Sequence, residues 1–497
     1  MGGLVGQWGV LSAVPKIELL WPDAGVPAAG AHLALGASLG QYTFRTYRNA
    51  KPGAPVLGQG ELVLRVADAD GSRRAWDADW SAVAAGVRFS RDLVTEPANA
   101  IYPESFVERT RAAFAGVPNV SIEVLDVPAM QKLGMNSILH VGQGSQRPPR
   151  LLVVRYRGGA RDEAPVAFVG KGITFDSGGI SLKDAANMWR MKYDMTGAAS
   201  VTGTVLALAR RGAKVNAISV AALAENMPSG TAGRPGDVIR TMSGKTYEVM
   251  STDAEGRMVL VDAIWFVQER DRPRVVVDVA TLTGSQVTAL GDEYAGLFSR
   301  DEALAADLLA AGTASGEDVW RLPLHPSYAK DLESPIADLR NGGSTPGAGA
   351  VSGMGKGTVE GAAVTAALEA MTDEPTSFGP RSFSAQLHHQ NTALMQILGT
   401  DPSSTFYRTR LDGVWNFIEA LNSLKGAPLQ DISGLGLFAL QIHTSRADKS
   451  VGTEAEEQER YAFQINVLMS ECLELVISVY THAQLSAELV AVCRLPR

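Results

Sequence analysis

Three runs of β-branched and small apolar residues place the strongest constraint on this chain. They are Val166-Ala167-Phe168-Val169, Ala217-Ile218-Ser219-Val220-Ala221-Ala222 and Val275-Val276-Val277-Asp278-Val279-Ala280. Each is apolar almost without alternation, so each must be covered on both faces. Helical stretches separate them: 195–210 is rich in small residues, and 256–269 is apolar on nearly all sides. Such strands alternating with helices specify an α/β fold with a mixed, mainly parallel sheet flanked by helices. In such sheets functional groups gather at the carboxyl ends of the strands. Lys171 follows closely on one run, and Thr281-Leu282-Thr283-Gly284 directly follows another.

At 497 residues the chain is too long for one ordinary core. Residues 1–80 read as a short N-terminal α/β domain, with a strand at Leu62-Val63-Leu64-Arg65-Val66 and a turn at Asp68-Ala69-Asp70-Gly71. Residues 81–375 hold the central domain. It opens with a helix through Val83, Val87 and Leu93 that Pro97 ends, and a second helix starts at Pro103. Strands are expected at Ser121-Ile122-Glu123-Val124-Leu125 and Leu151-Leu152-Val153-Val154-Arg155-Tyr156. A glycine-rich loop over 341–357 leads to a helix over 359–371. Residues 376–497 change character and read as a helical segment of unknown role. Within it, the adjacent His388 and His389 would point apart and suit a loop rather than a metal site. A helix over 461–492 carries an apolar face for packing or self-association.

The charge balance narrows the function classes. A net charge of −8 argues against a general attraction to nucleic acid. No apolar run approaches the length of a membrane span, and the N-terminus lacks the basic start of a secretory signal. Cys472 and Cys493 form neither a disulfide framework nor a zinc-finger spacing. A soluble protein of a reducing compartment, the cytoplasm, is expected.

The chemistry concentrates between residues 171 and 257. Short polar islands there carry Lys171, Asp176, Lys183, Asp194, Asp253, Glu255 and Arg257, and no histidine lies in the window. Converging carboxylates can hold two divalent ions, which polarise a carbonyl and lower the pKa of a water between them. Asp253 and Glu255 are two apart, so an extended segment would turn both to one side. Glu255 opens a helix, whose N–H groups favour an anion, and Arg257 in the same turn could hold a small anion. A lysine beside two cations would be forced neutral, as expected for Lys171, whereas Lys183 would stay charged and polarise a carbonyl. Taken singly, each of these residues is an ordinary solvated turn residue, and Asp-x-Glu alone is a weak motif.

Taken together, the islands resemble the leucyl aminopeptidase family of two-metal exopeptidases. The likeness rests on Val169-Gly170-Lys171-Gly172-Ile173-Thr174-Phe175-Asp176-Ser177-Gly178-Gly179 and Ser251-Thr252-Asp253-Ala254-Glu255-Gly256-Arg257. Supporting stretches are Glu96-Pro97-Ala98-Asn99, Val141-Gly142-Gln143-Gly144-Ser145 and Arg234-Pro235-Gly236-Asp237-Val238, so the likeness covers about 88–350. The resemblance implies a metal-dependent aminopeptidase acting on the N-terminal peptide bond, with apolar residues such as leucine preferred. It implies that Lys171, Asp176, Asp194 and Glu255 ligate one Mn²⁺ or Zn²⁺ ion and that Asp176, Asp253 and Glu255 ligate a second. Lys183 would be the electrophile, and Arg257 would hold a bicarbonate general base. Met191, Thr281, Leu282 and Gly284 would contact the peptide substrate, whose free α-amine would bind a metal. A homohexamer is implied too.

The chain departs from that pattern in places. Ser251 stands where the family has asparagine, so altered hydrogen bonding is expected in that loop. From about residue 380 no match is found, so the family's final buried strand is expected to be missing. That departure motivates a different reading, an impaired homologue acting as a scaffold or nucleic-acid-binding assembly. A two-metal phosphoesterase is disfavoured by the lack of histidines in the window.

Overall fold

The computed structural model describes residues 16–21, 28–49, 61–186, 188–291, 293–324, 326–342 and 381–386. The expected helices over 359–371 and 461–492, most of the glycine-rich loop, His388-His389 and both cysteines lie outside the described residues.

The N-terminal unit is a β-α-β arrangement. Strand β1 (Lys16–Trp21) pairs in parallel with β2 (Glu61–Val66), and helix α1 (Ala29–Gly40) falls between them in sequence. The expected turn at Asp68 is instead the start of helix α2 (Ala69–Ala75). Asp68 is its N-cap and accepts from Gly71 N at 2.7 Å. The short polar side chain that favours a turn also satisfies an orphan helix N–H, and here the helix wins. Helix α3 (Ser81–Thr95) follows and ties this unit down. Its Asp92 accepts from the Tyr42 hydroxyl at 2.7 Å, and Arg88 donates to Ser38 O at 3.1 Å.

Helix α4 (Pro103–Ala113) starts at its proline as expected. The chain then forms β3 (Val120–Leu125), α5 (Val127–Lys132), α6 (Asn136–Gly142), β4 (Arg150–Arg157) and β5 (Val166–Asp176). Helix α7 (Thr196–Arg210) leads to β6 (Asn216–Asn226), and the short strands β7 (Val238–Arg240) and β8 (Thr246–Glu248) come next. Helix α8 (Glu255–Asp271) and β9 (Val275–Ala280) complete the central repeat. After them lie α9 (Ser285–Leu290), β10 (Ala295–Phe298), α10 (Glu302–Ser315), β11 (Val319–Arg321), β12 (Leu339–Arg340) and β13 (Arg381–Gln386).

Eight strands form one sheet in the order β11-β10-β13-β9-β5-β6-β4-β3. The β6, β5, β9 and β13 strands run parallel, while β4 is antiparallel to β6 and β10 is antiparallel to β13. The mixed, mainly parallel sheet read from the sequence is thus present. Its two faces are covered by two cores. One joins Ile138 and Val141 of α6 and Met258, Ile264 and Phe266 of α8 to Val153, Val169 and Val220. The other joins Leu93 of α3, Phe106 of α4 and Val205 and Leu206 of α7 to Val154, Ala221 and Leu223. Continuous apolar runs follow from this double cover.

β13 changes the expectation for the C-terminal part. It pairs Phe383 with Val277 in parallel and Leu297 with Ala385 in antiparallel, so the sheet has a strand between β9 and β10. Without family likeness after residue 380, the sequence alone points to a missing strand there. Strand pairing is made through the backbone, however, and Arg381-Ser382-Phe383-Ser384-Ala385-Gln386 supplies it without the family's residues. The boundary drawn at 375 therefore falls before a strand of the sheet.

Helix α6 lacks a cap side chain of its own. Asp262 of α8 supplies one from across the core: its carboxylate accepts from Ser137 N at 2.9 Å, Ile138 N at 3.3 Å and Met242 N at 2.8 Å. Burial pushes the Asp262 carboxyl up to about 7, against the pull of those three N–H groups. An unfolded aspartate titrates near 3.9. Between about pH 4 and 7 the folded state therefore holds a proton that the unfolded chain has lost, and stability falls as pH rises through that window. Urea unfolding of metal-free protein should show midpoints dropping from pH 5 to 7.5. Asp262→Asn should be less stable throughout but should show a shallower slope. An identical slope in the two proteins would refute this role for Asp262.

Candidate metal centre

The candidate site residues meet at the carboxyl ends of the central parallel strands. β5 carries Lys171 and ends on Asp176. In a regular strand, residues five apart point to opposite faces. Here Ile173 faces Ala224 and Phe175 faces Glu225, so the register shifts by one residue around Thr174. This bulge re-aims the end of the strand. Lys171 and Asp176 thereby turn into the same cluster.

Glu255 is the first residue of α8, as expected, and is buried. Its neighbour Gly256 is there for space. A Cβ at that position would lie 2.8 Å from Lys171 Cδ and 2.7 Å from Leu282 Cδ2, in the path of the lysine stem. Lys171 Nζ then reaches Glu255 Oε1 and Asp194 Oδ2, each at 2.8 Å, and donates to Thr281 O at 2.7 Å. Lys183 Nζ lies 2.9 Å from Asp176 Oδ2 and 2.5 Å from Asp253 Oδ1. Four carboxylates thus surround two ammonium groups, with negative charge in excess.

The electrostatics follow from that crowding. Burial lowers the Lys171 pKa, but Asp194, Glu255 and Asp176 outweigh it and hold the amine above its ordinary value. The neutral amine read from the sequence presupposes two cations beside it. Between bare carboxylates this lysine is an ammonium. Lys183 shows the same balance, burial opposed by Asp176 and Glu255, with the net shift upward. Burial, reinforced by the Asp176 charge, pushes Glu255 up to about 8. Burial also raises Asp194 to about 6, against the pull of Lys171, and raises Asp253.

These residues fit a divalent metal centre. One oxygen each from Asp176, Asp253 and Glu255 lie within 4.8 Å of one another. Both oxygens of Glu255 are buried without a hydrogen bond, as are Asp194 Oδ2 and Asp253 Oδ1. Three of these four lie within ion-pair distance of a lysine, but not in hydrogen-bond geometry. Glu255 Oε2 meets neither lysine, and a buried carboxylate oxygen without a donor or counter-charge is costly. An all-carboxylate donor set suits hard divalent ions.

Of the remaining expected residues, Thr281 and Leu282 reach the cluster. Arg257 is buried in the first turn of α8. Met191 is half-buried in a 3-10 turn, Met188–Tyr193. Thr281 is tied to the ligand set. Its hydroxyl donates to Asp194 Oδ1 at 2.6 Å while its carbonyl takes Lys171. Leu282 packs on the α8 core, and Gly284 precedes α9 at the surface.

Two asparagines were not singled out from the sequence. Asn341 spans the loop before Asp253: its Oδ1 accepts from Met250 N at 2.7 Å, and its Nδ2 donates to Ser251 O at 2.7 Å. Ser251 Oγ itself accepts from Asp253 N at 3.2 Å. Asn226, the last residue of β6, donates to Asp176 Oδ1 at 2.8 Å. Its position at a strand's carboxyl end was the available signal.

The catalytic-domain model of the cytosol aminopeptidase family matches residues 88–356. The chain belongs to the cytosol aminopeptidase family. A probable cytosol aminopeptidase of Bradyrhizobium sp. (strain BTAi1) is 48% identical over 321 residues, 65% of this chain and 64% of that protein. One from Caulobacter vibrioides is 46% identical over 339 residues, 68% of each chain. The chain thus spans just under two thirds of the Bradyrhizobium relative's length. Among solved structures, the bottromycin maturation enzyme BotP is similar at a TM-score of 0.65 and 33% identity, over 78% of this chain and 81% of its own. The same enzyme in complex with Mn gives 0.65 and 32%, over 78% and 80%. Within the family match fall all the expected site residues, whereas β13 lies beyond it.

Proposed function

We propose that this chain is a metal-dependent aminopeptidase of the cytoplasm that releases N-terminal residues from peptides, with apolar residues such as leucine preferred. The observation that carries this is the convergence of Asp176, Asp194, Asp253 and Glu255 around Lys171 and Lys183. Two divalent ions, Mn²⁺ or Zn²⁺, would be held by those carboxylates, with Lys171 as a further ligand of one of them. Such a pair supplies Lewis-acid polarisation of the scissile carbonyl and acidifies water beside it. No helix among the described residues is long and apolar enough to cross a membrane.

The chain's own groups do the rest. Lys183 keeps its proton and can donate to the oxygen on which charge develops, the role of an oxyanion-hole donor. Arg257 would hold bicarbonate as the general base. Met191 would line the pocket for the first side chain, and Thr281, Leu282 and Gly284 would border the peptide. Thr281 does so while its hydroxyl and carbonyl hold Asp194 and Lys171. The family resemblance carries a homohexamer with it.

Leucine p-nitroanilide should be hydrolysed by purified protein with added Mn²⁺, and its N-acetylated form should not be. A folded sample with no metal-stimulated turnover would defeat this reading. Stoichiometric metal without turnover, together with DNA retention in a gel shift, would favour the scaffold reading.

A further inference from the structure

We propose that Asn226 is a positioning residue that fixes which oxygen of Asp176 faces the metals and locks the end of β5 to the loop that carries Asp253. The inference rests on the metal-centre reading above. Asn226 stands opposite Asp176 in the β5–β6 register, where the bulge at Thr174 delivers it. Its amide has two hydrogens, and both are used across the site. One goes to Asp176 Oδ1 at 2.8 Å and the other to Thr252 O at 3.0 Å, next to Asp253. Its backbone carbonyl accepts from Ser177 N at 3.0 Å and Ser177 Oγ at 2.7 Å.

One side chain therefore touches two of the segments that carry ligands, the end of β5 and the loop before α8. Asp176 Oδ1 takes Asn226 and also Gly178 N at 2.9 Å, so that oxygen is committed to neutral donors. Oδ2 is the oxygen left facing Lys183. The opposite side of the clamp is closed by Thr252, whose hydroxyl donates to Gly178 O at 2.6 Å and accepts from Ser181 N at 2.8 Å. The fit is tight: a Cβ at Gly179 would lie 2.8 Å from Asn226 Oδ1 and 2.9 Å from Thr252 Oγ1. Hydrogen bonds to a ligand's spare oxygen orient it, and losing them typically costs about 10–100-fold in metal affinity or activity. No titration of Asn226 is involved, since an amide carries no charge at any working pH.

The test compares wild type with Asn226→Ala, which removes the amide without adding charge, and Asn226→Leu, which removes all polarity at similar size. Mn²⁺ affinity is measured by chelator competition, the metal-free melting temperature by calorimetry, and kcat and KM for leucine p-nitroanilide at saturating Mn²⁺. The expected result is a folded variant with a lowered metal-free melting temperature, since Asp176 Oδ1 and Thr252 O lose a buried donor, and Mn²⁺ binding at least about 10-fold weaker. In addition, kcat should be reduced while KM holds within about twofold, as for a group that orients the transition state rather than the substrate. Mn²⁺ affinity within twofold of wild type in a folded variant would overturn the proposal. So would failure of both variants to fold, which would make Asn226 a merely structural residue. Because Mn²⁺ affinity is read without turnover, an inactive wild type that binds Mn²⁺ would defeat the aminopeptidase reading and leave this test intact.

Discussion

Glu255→Gln should reduce metal-stimulated peptide hydrolysis by more than about 100-fold, beyond the range seen when only an outer partner of a ligand is lost. The reason lies in the position of this one carboxylate. It is the first residue of α8, it is buried, its Oε1 meets only the Lys171 ammonium at 2.8 Å, and its Oε2 has no hydrogen-bond donor. Glutamine has the same shape, so α8 and its core should be preserved. The amide, however, turns an N–H₂ group toward the cluster and removes a negative charge that a divalent ion would meet. Only one of the cluster's oxygens then remains at this position. The measurement is turnover of leucine p-nitroanilide beside Mn²⁺ stoichiometry by elemental analysis. Activity within tenfold of wild type would show that Glu255 is not a metal ligand in this chain.

How much of this was legible beforehand differs from residue to residue. The runs at Val166, Ala217 and Val275 announced buried strands because a strand covered on both faces needs no polar side. Those strands then placed Thr281 at a carboxyl end, whereas Lys171, read as following its strand, lies inside β5, which runs on to Asp176. Glu255 as a helix start could be read from chain order and charge. The bulge at Thr174 could not, because it depends on which residues of β6 pair with β5. Nor could β13, which joins residues 381–386 to partners about one hundred positions earlier through backbone bonds that leave little trace in side-chain type. The Asn226 clamp joins three segments distant in sequence, and it emerges only once the register is known. Asp68 shows the converse limit: a turn and a capped helix begin with the same residue.

Lys171→Met should destabilise the metal-free protein by about 3–5 kcal/mol, the cost of removing one partner from a buried ion pair. The lysine is almost wholly enclosed, with 3% of its side chain exposed, and its partners Asp194 and Glu255 are equally buried. Methionine has a similar length and should follow the same path past Gly256, so the packing loss is small. What is lost is the charge between two carboxylates and a donor to Thr281 O. The penalty should be visible in guanidinium unfolding with chelator present. Added Mn²⁺ should then narrow the gap, because a cation that binds only the folded state restores the missing positive charge and stabilises by mass action. A variant as stable as wild type without metal would mean that the carboxylates discharge by taking up protons instead. A gap that Mn²⁺ leaves unchanged would mean that no cation enters beside Asp194 and Glu255. The pair of measurements therefore separates two jobs for Lys171. Without metal, it is the counter-charge that lets four carboxylates share one buried site. With metal, that task would pass to the ions, and the amine would be free to act as the ligand that the family resemblance implies.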